Sequence, residues 1–186
     1  MDIKVKKRNG RLESFHVDKI NASAQRACLG IEDVSPSEIV LDAQLQLYDK
    51  IATSDIDQAL IFSAREKMEK EPNYTYAAAR LLLNCLYKEV FKEGVDSDAF
   101  ELQYRKSFIQ NTKSLVNLGR LDKRLLDFDL KKLSESLCLK RDSLFKYLGA
   151  KTLYDRYFIK ESGRIMEAPQ CFWMRVFEIP EGAKAT

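Results

Sequence analysis

The basic residues at the start of the chain are those whose type and spacing could do chemistry. Lys4, Lys6, Lys7, Arg8 and Arg11 face a single acid, Asp2, within residues 1–11. The string "VKKRNGRLESFHVDKI" (5–20) then runs into what reads as a helix start at Asp18–Lys19–Ile20. Cationic side chains beside free helix N–H groups favour phosphate. Charge-assisted hydrogen bonds contribute roughly 1.5–3 kcal/mol each. Three or four of them would hold a nucleotide at about micromolar concentration after association costs. Val5, Phe15 and Ile20 supply apolar surface that could flank a base. The same cations equally suit a solvated edge hairpin that lysines protect against strand pairing.

Other chemistry is hard to find. The chain has no GxxxxGK[ST], GxGxxG or GxSxG string, and its 7 glycines are scattered. The only histidine, His16, falls in a predicted strand, where it suits the surface or the edge of a ligand better than general-base work. Cys28, Cys85, Cys138 and Cys171 form no CxxC pair, so zinc-finger and zinc-ribbon readings fail on spacing. They read as small buried hydrophobes in a reducing compartment.

Composition sets the frame. The chain of 186 residues suits one domain, or a small domain with an appendage. The net charge of +3 is spread thinly. Residues 1–92 hold 14 basic and 14 acidic side chains, and residues 93–186 hold 17 and 14. That is no nucleic-acid footprint. No stretch approaches ~20 apolar residues, which argues against a membrane partner. The N-terminus has no apolar signal region, so the expected location is cytoplasmic.

The elements that would position the basic cluster follow from local patterns. Residues 2–7 and 11–17 alternate around Asn9–Gly10, a type I′ hairpin signature. Ile3, Val5, Phe15 and Val17 would share one face, with Lys4 and Lys6 on the other. Asp18 reads as the cap of a first helix that ends near Gly30. "SPSE" (35–38) is a capping box opening a second helix, which carries Leu47 and runs to about Tyr48. "TSDID" (53–57) opens a third helix with Thr53 as its cap and Asp55 and Asp57 in its first turn. "YTYAAARLLLNCLYKEVFK" (74–92) reads as a fourth. Further helices are expected at 98–118, 129–138 and 144–156, a short hairpin around Ser162–Gly163, and a helix from Pro169.

Together these strings resemble the ATP-cone family. In it a basic "KRDG" hairpin leads to a "DKI" helix start, followed by counterparts of "TSDID" and "PNYTYAAARLLLNCLYKEV". The resemblance covers residues 3–92. A further string, "RDSLFKYLGAKTLYDRYFIKESGRIMEAPQCFWMRV" (141–176), resembles the segment that joins the cone to the catalytic barrel in the large (alpha) subunit of class I ribonucleotide reductase.

The resemblance implies an allosteric activity site. In the family ATP keeps the reductase active, and dATP shuts it down through a change in subunit assembly. The implied nucleotide contacts are Lys7, the run Glu13, Ser14, Phe15, His16, Val17, Asp18 and Lys19, and then Thr53, Asp57 and Lys88. Lys7 and Lys88 would hold phosphates. Glu13 would sit by the sugar or a metal-bridged phosphate, His16 near the base or ribose, and Asp57 at a position that sets the ATP/dATP choice. Val5, Arg8, Arg11, Ile20 and Leu47 are auxiliary. Mg²⁺ would accompany the triphosphate rather than rest on protein ligands alone, and other reductase subunits would be partners.

The fold class expected is mainly α with a small N-terminal β-hairpin. An ATP-cone helical bundle would occupy 1–92. A helical linker and a short β-hairpin would fill 93–186, cut before the barrel. Such a chain would lack the catalytic cysteines and be inactive alone. It would be a natural split completed by a second chain, a frameshifted or excised piece, or a reductase-interacting fragment with a decayed nucleotide site. Phe158, Ile159, Phe172, Trp173 and Val176 would form an open apolar patch.

Overall fold

The computed structural model describes residues 3–91 and 99–177. The chain is mostly helical, as its periodicity implies, and it divides into two compact units. The first comprises Met1–Cys85 with Ser143–Thr152, and the second Leu86–Asp142 with Leu153–Thr186.

The first unit opens with β1 (Lys4–Lys6) and β2 (Leu12–Ser14), paired antiparallel with Val5 opposite Glu13. Cross-strand partners share a face, so Val5 and Glu13 lie together, with Lys7 two residues on. The connection is not the expected type I′ turn. Gly10 has φ +83° while Asn9 keeps a negative φ. The Gly10 N–H donates to Lys7 O at 2.8 Å, and the Lys7 N–H to Arg11 O at 2.8 Å. This is a three-residue loop, a type I turn closed by a glycine bulge. The Asn9 side chain selects it by accepting the Arg11 N–H at 3.1 Å.

A third strand, β3 (Ile51–Ala52), pairs parallel to β1 and makes it the central strand. Two residues are too few for an alternation to announce. Val5 and Ile51, opposite each other and buried, turn into the core.

Helix α1 (Val17–Cys28) follows β2 directly. Its N-cap is His16, with extended backbone (φ −120°, ψ 107°), and Asp18 sits inside the first turn instead of capping it. Val17 is therefore the first helical residue, not a strand residue. Gly30 turns the chain away with φ +69°, the conformation glycine allows at least cost.

Helix α2 (Pro36–Gln44) is capped as its sequence indicates, Ser35 Oγ accepting the Glu38 N–H at 3.3 Å. The reciprocal half of the box goes elsewhere. The Ser35 N–H donates to Tyr74 Oη at 2.9 Å, and that hydroxyl meets Glu38 Oε2 at 3.3 Å. The helix ends four residues before Tyr48, because successive i→i+3 bonds from Gln46 and Leu47 tighten the chain into turns.

Helix α3 (Thr53–Glu66) springs from β3, and its N-cap is Ala52 rather than Thr53. Both α1 and α3 pack on α2, burying Ile20, Ala24, Ile39, Val40, Ile56 and Leu60. In helix α4 (Tyr74–Phe91) the small side chains of Ala77, Ala78 and Ala79 are all buried, which permits close packing on more than one side of the helix. Arg80 donates to Ala27 O at 3.1 Å and Leu29 O at 2.7 Å, fastening the open end of α1. Helix α7 (Tyr147–Thr152) completes this unit, its first N–H donating to Thr75 Oγ1 at 3.1 Å.

The second unit takes the last six residues of α4 with α5 (Phe100–Asn117), α6 (Leu130–Ser136) and α8 (Pro169–Phe177). A two-residue hairpin of β4 (Lys160–Glu161) and β5 (Arg164–Ile165) turns through Ser162 (φ 49°) and Gly163 (φ 77°), both left-handed as its sequence requires. The 144–156 segment is helical only to Thr152 in α form and continues as a π turn over Leu153–Tyr157.

The expected open apolar patch is mostly closed. Phe158 and Phe172 are buried against each other, rings edge-on at 5.8 Å, and Ile159 is half-buried. Trp173 and Val176 remain exposed.

Candidate functional site

The topology brings the sequence-predicted residues of the first unit to the two ends of a small sheet. Strand β2 runs antiparallel to β1, so its exit into α1 lies beside Lys4. Strand β3 runs parallel to β1, so its exit into α3 lies beside Lys6 and the loop. The strands are three residues or fewer, so only about 7–10 Å separate the ends.

Neither α1 nor α3 has a side-chain hydrogen bond at its N-cap. Apart from the Lys19 N–H, which donates to His16 O at 3.2 Å, the first turns of both helices lack a side-chain cap, an arrangement that suits an anion.

At the loop end, Lys7 Nζ lies 3.5 Å from Glu13 Oε2 on the face shared with Val5. Arg8 reaches α3, its guanidinium 3.8 Å from Asp57 Oδ2. Asp57 is largely buried and Arg8 exposed. Thr53 is half-buried in the first turn of the same helix. The Lys7–Glu13 pair is solvent-accessible, which limits it to about 0–1 kcal/mol of stability, whereas the Arg8–Asp57 pair joins an exposed cation to a largely buried acid. Arg11 is exposed on the far side of the loop.

At the other end, Ser14 closes β2, Phe15 is half-buried and donates its N–H to Ile3 O at 2.9 Å, and His16, Val17, Asp18 and Lys19 are exposed over the first turn of α1. Ile20 is buried below them. Leu47 is half-buried in the turn after α2. Lys88, half-buried in the last turn of α4, belongs to the second unit. Among the described residues no group of three or more His, Cys, Asp or Glu side chains could hold a metal ion.

One arrangement has no sequence signal. In the second unit Asp142 is buried. Its Oδ2 accepts the hydroxyls of Tyr87 at 2.7 Å and Tyr104 at 2.8 Å, and its Oδ1 accepts Gln170 Nε2 at 2.8 Å. The Gln170 N–H in turn donates to Tyr104 Oη at 3.0 Å. Burial pushes the Asp142 carboxyl upward from its ordinary range, against the opposing pull of Gln170, Tyr87 and Tyr104. Nearby, buried Glu167 is also pushed up by burial and held down by Arg175, 3.1 Å away. The partners are 28–66 residues apart in sequence, so no local spacing could have revealed them. The buried thiol of Cys28 is raised to about 11 by burial and that of Cys171 further still, so neither is a nucleophile at neutral pH.

A basic hairpin stands ahead of two helix starts that lack a side-chain cap in a small helical module, and comparison with known families places it. Residues 3–89 match the ATP cone domain, and residues 143–176 match the ribonucleotide reductase all-alpha domain. The chain is 38% identical over 177 residues to the ribonucleoside-diphosphate reductase subunit alpha of Helicobacter pylori, covering 94% of this chain and 21% of that protein. It is 38% identical over 160 residues to that of Chlamydia muridarum, covering 83% of this chain and 15% of the relative. Against subunit alpha of Escherichia coli reductase 1 it is 30% identical over 179 residues, covering 92% and 22%. The chain belongs to the ATP-cone-bearing part of the ribonucleotide reductase alpha-subunit family, and it spans 15% to 22% of the length of these curated relatives.

Proposed function

We propose that the chain is an allosteric module that binds ATP or dATP with Mg²⁺ and reports which is bound to a ribonucleotide reductase assembly. The regulatory part in this reading is residues 1–92. The observation that carries it is the placing of Lys7 beside exposed Glu13, and of exposed Arg8 beside Asp57, next to the first turn of α3, which has no side-chain cap. Lys7 and Lys88 are assigned to phosphates, with Arg8 and Arg11 auxiliary, and Glu13 to the sugar or the metal-bridged phosphate. Ser14 to Lys19 and Thr53 are assigned to the nucleotide through the two helix starts. Val5, Ile20 and Leu47 would back the base, and Asp57 would tell ATP from dATP. The partners are other reductase subunits, and the setting is the cytoplasm.

Calorimetric titration with Mg-ATP, Mg-dATP and Mg-GTP tests this. Both adenine nucleotides should bind at about micromolar concentration or tighter, and GTP should be rejected. Lys7→Ala and Lys88→Ala should each weaken binding without unfolding the chain. A folded chain that binds none of the three would end the reading and leave the cations as a solvated edge.

A further inference from the structure

Strand β3 has only two residues, yet α3 starts directly from it. Thr53, the first residue of α3, follows Ala52, the last of β3, with nothing between. Where β3 lies along β1 therefore decides where Thr53 and Asp57 stand beside Lys7 and Arg8. The register pairs Val5 with Ile51 and Lys6 with Ala52. The bonds of a parallel ladder are evenly spaced. The Lys50 N–H donates to Lys4 O at 2.8 Å, so the rung before it would run from the Lys4 N–H to Tyr48 O. Tyr48 O is put to another use. It accepts the Ile51 N–H at 3.3 Å, and the chain turns there with Lys50 left-handed at φ 62°. Asp49 supplies the rung instead, its Oδ1 accepting the Lys4 N–H at 3.0 Å across 45 residues of sequence.

We propose that Asp49 is a positioning residue for the nucleotide site, holding β3 at the point along β1 that sets the first turn of α3 against Lys7 and Arg8. The proposal rests on the nucleotide reading above. Burial of Ile51 already forbids a slip of one residue, which would carry Thr53 about 3.3 Å and turn Ile51 out to solvent. Burial is non-directional, however, and leaves smaller displacements open. Hydrogen bonds weaken steeply with distance and angle, so two bonds to one residue, from Asp49 and Lys50 to Lys4, remove that play. They also hold Lys50 in a conformation that a non-glycine residue keeps only where its surroundings over-determine it. The site needs the precision, since binding groups work when held to within about 0.5 Å. At 3.8 Å the Arg8–Asp57 contact has little distance to spare.

The experiment is calorimetric titration of the whole chain with Mg-ATP, with thermal unfolding in parallel, for the parent, Asp49→Ala, Asp49→Asn and Ser35→Ala. Asp49 is exposed, so its truncation leaves the core intact. Asp49→Ala should bind about fivefold or more weakly than the parent. Asp49→Asn keeps an oxygen for the Lys4 N–H and should bind within about twofold of the parent. Ser35→Ala removes the cap of α2, away from the sheet, and should lower the thermal midpoint without weakening binding. Parent affinity in Asp49→Ala overturns the proposal. So does an Asp49→Asn variant as weak as Asp49→Ala, which would make the charge and not the bond the cause. So does a loss in Ser35→Ala equal to that in Asp49→Ala, because affinity would then merely follow stability. Absence of heat in the folded parent removes the nucleotide reading and this inference with it.

Discussion

Charge is handled in opposite ways in the hairpin of the first unit and in the core of the second. At the hairpin, Lys7 and Glu13 face each other at 3.5 Å with 32% and 46% of their side chains exposed. In the second unit, Asp142 is buried with Tyr87, Tyr104 and Gln170 around it. The exposed pair adds little to stability and its members are easily redirected. The buried carboxylate has no water to fall back on, so each missing donor or acceptor is felt in full. The first kind suits a surface that exchanges partners, and the second a core that keeps its geometry.

Substitutions can break this contrast, and the largest effect belongs to Asp142→Ala. It strands two tyrosine hydroxyls and an amide at about 1–3 kcal/mol each, so chemical denaturation should show a loss of at least about 3 kcal/mol. A loss as small as that of a surface mutation would deny the cluster its role. Arg164→Ala, which frees two carbonyls at the end of α4, should cost about 2 kcal/mol in the same assay. Asp142→Asn should cost less than about 1 kcal/mol, because Gln170 can turn its amide oxygen toward the new donor. Equal losses for Ala and Asn would mean that the negative charge itself is required.

A pH series sharpens the comparison further. Asp142 and Glu167 both have carboxyls raised by burial, so folding favours their protonated forms. The stability they contribute is present below the ordinary carboxylate range and is lost as pH rises through their raised folded values. Thermal midpoints of Asp142→Asn should therefore fall less steeply than the parent's over that rise. The smallest effect is expected from Lys7→Ala, below about 1 kcal/mol in stability yet about tenfold or more in triphosphate affinity. A stability loss matching Arg164→Ala would make Lys7 a structural residue.

Much of the fold was legible because it is written locally. The SPSE box, the alanine-rich α4 and the Ser162–Gly163 turn each carry their instruction within a few residues. The nucleotide end was legible as a cluster of types, but its local detail was not. His16 displaces Asp18 at one helix start and Ala52 displaces Thr53 at the other, because a shift of one or two residues in where a strand stops moves the cap with it. Strand β3 escaped because two residues have no period. The Asp142 cluster escaped for a deeper reason, since its members are joined only by the tertiary fold.

The bond from Arg80 to the end of α1 has a thermodynamic consequence. A helix whose last carbonyls are already engaged, Ala27 at 3.1 Å and Leu29 at 2.7 Å, has little freedom left to lose when something settles on its opposite end. The ordering entropy of binding would then fall almost wholly on the short loop Arg8–Asn9–Gly10, a cost on the order of 1–2 kcal/mol for each backbone residue fixed. Tightening that loop, rather than adding contacts along α1, is the economical route to a stronger grip.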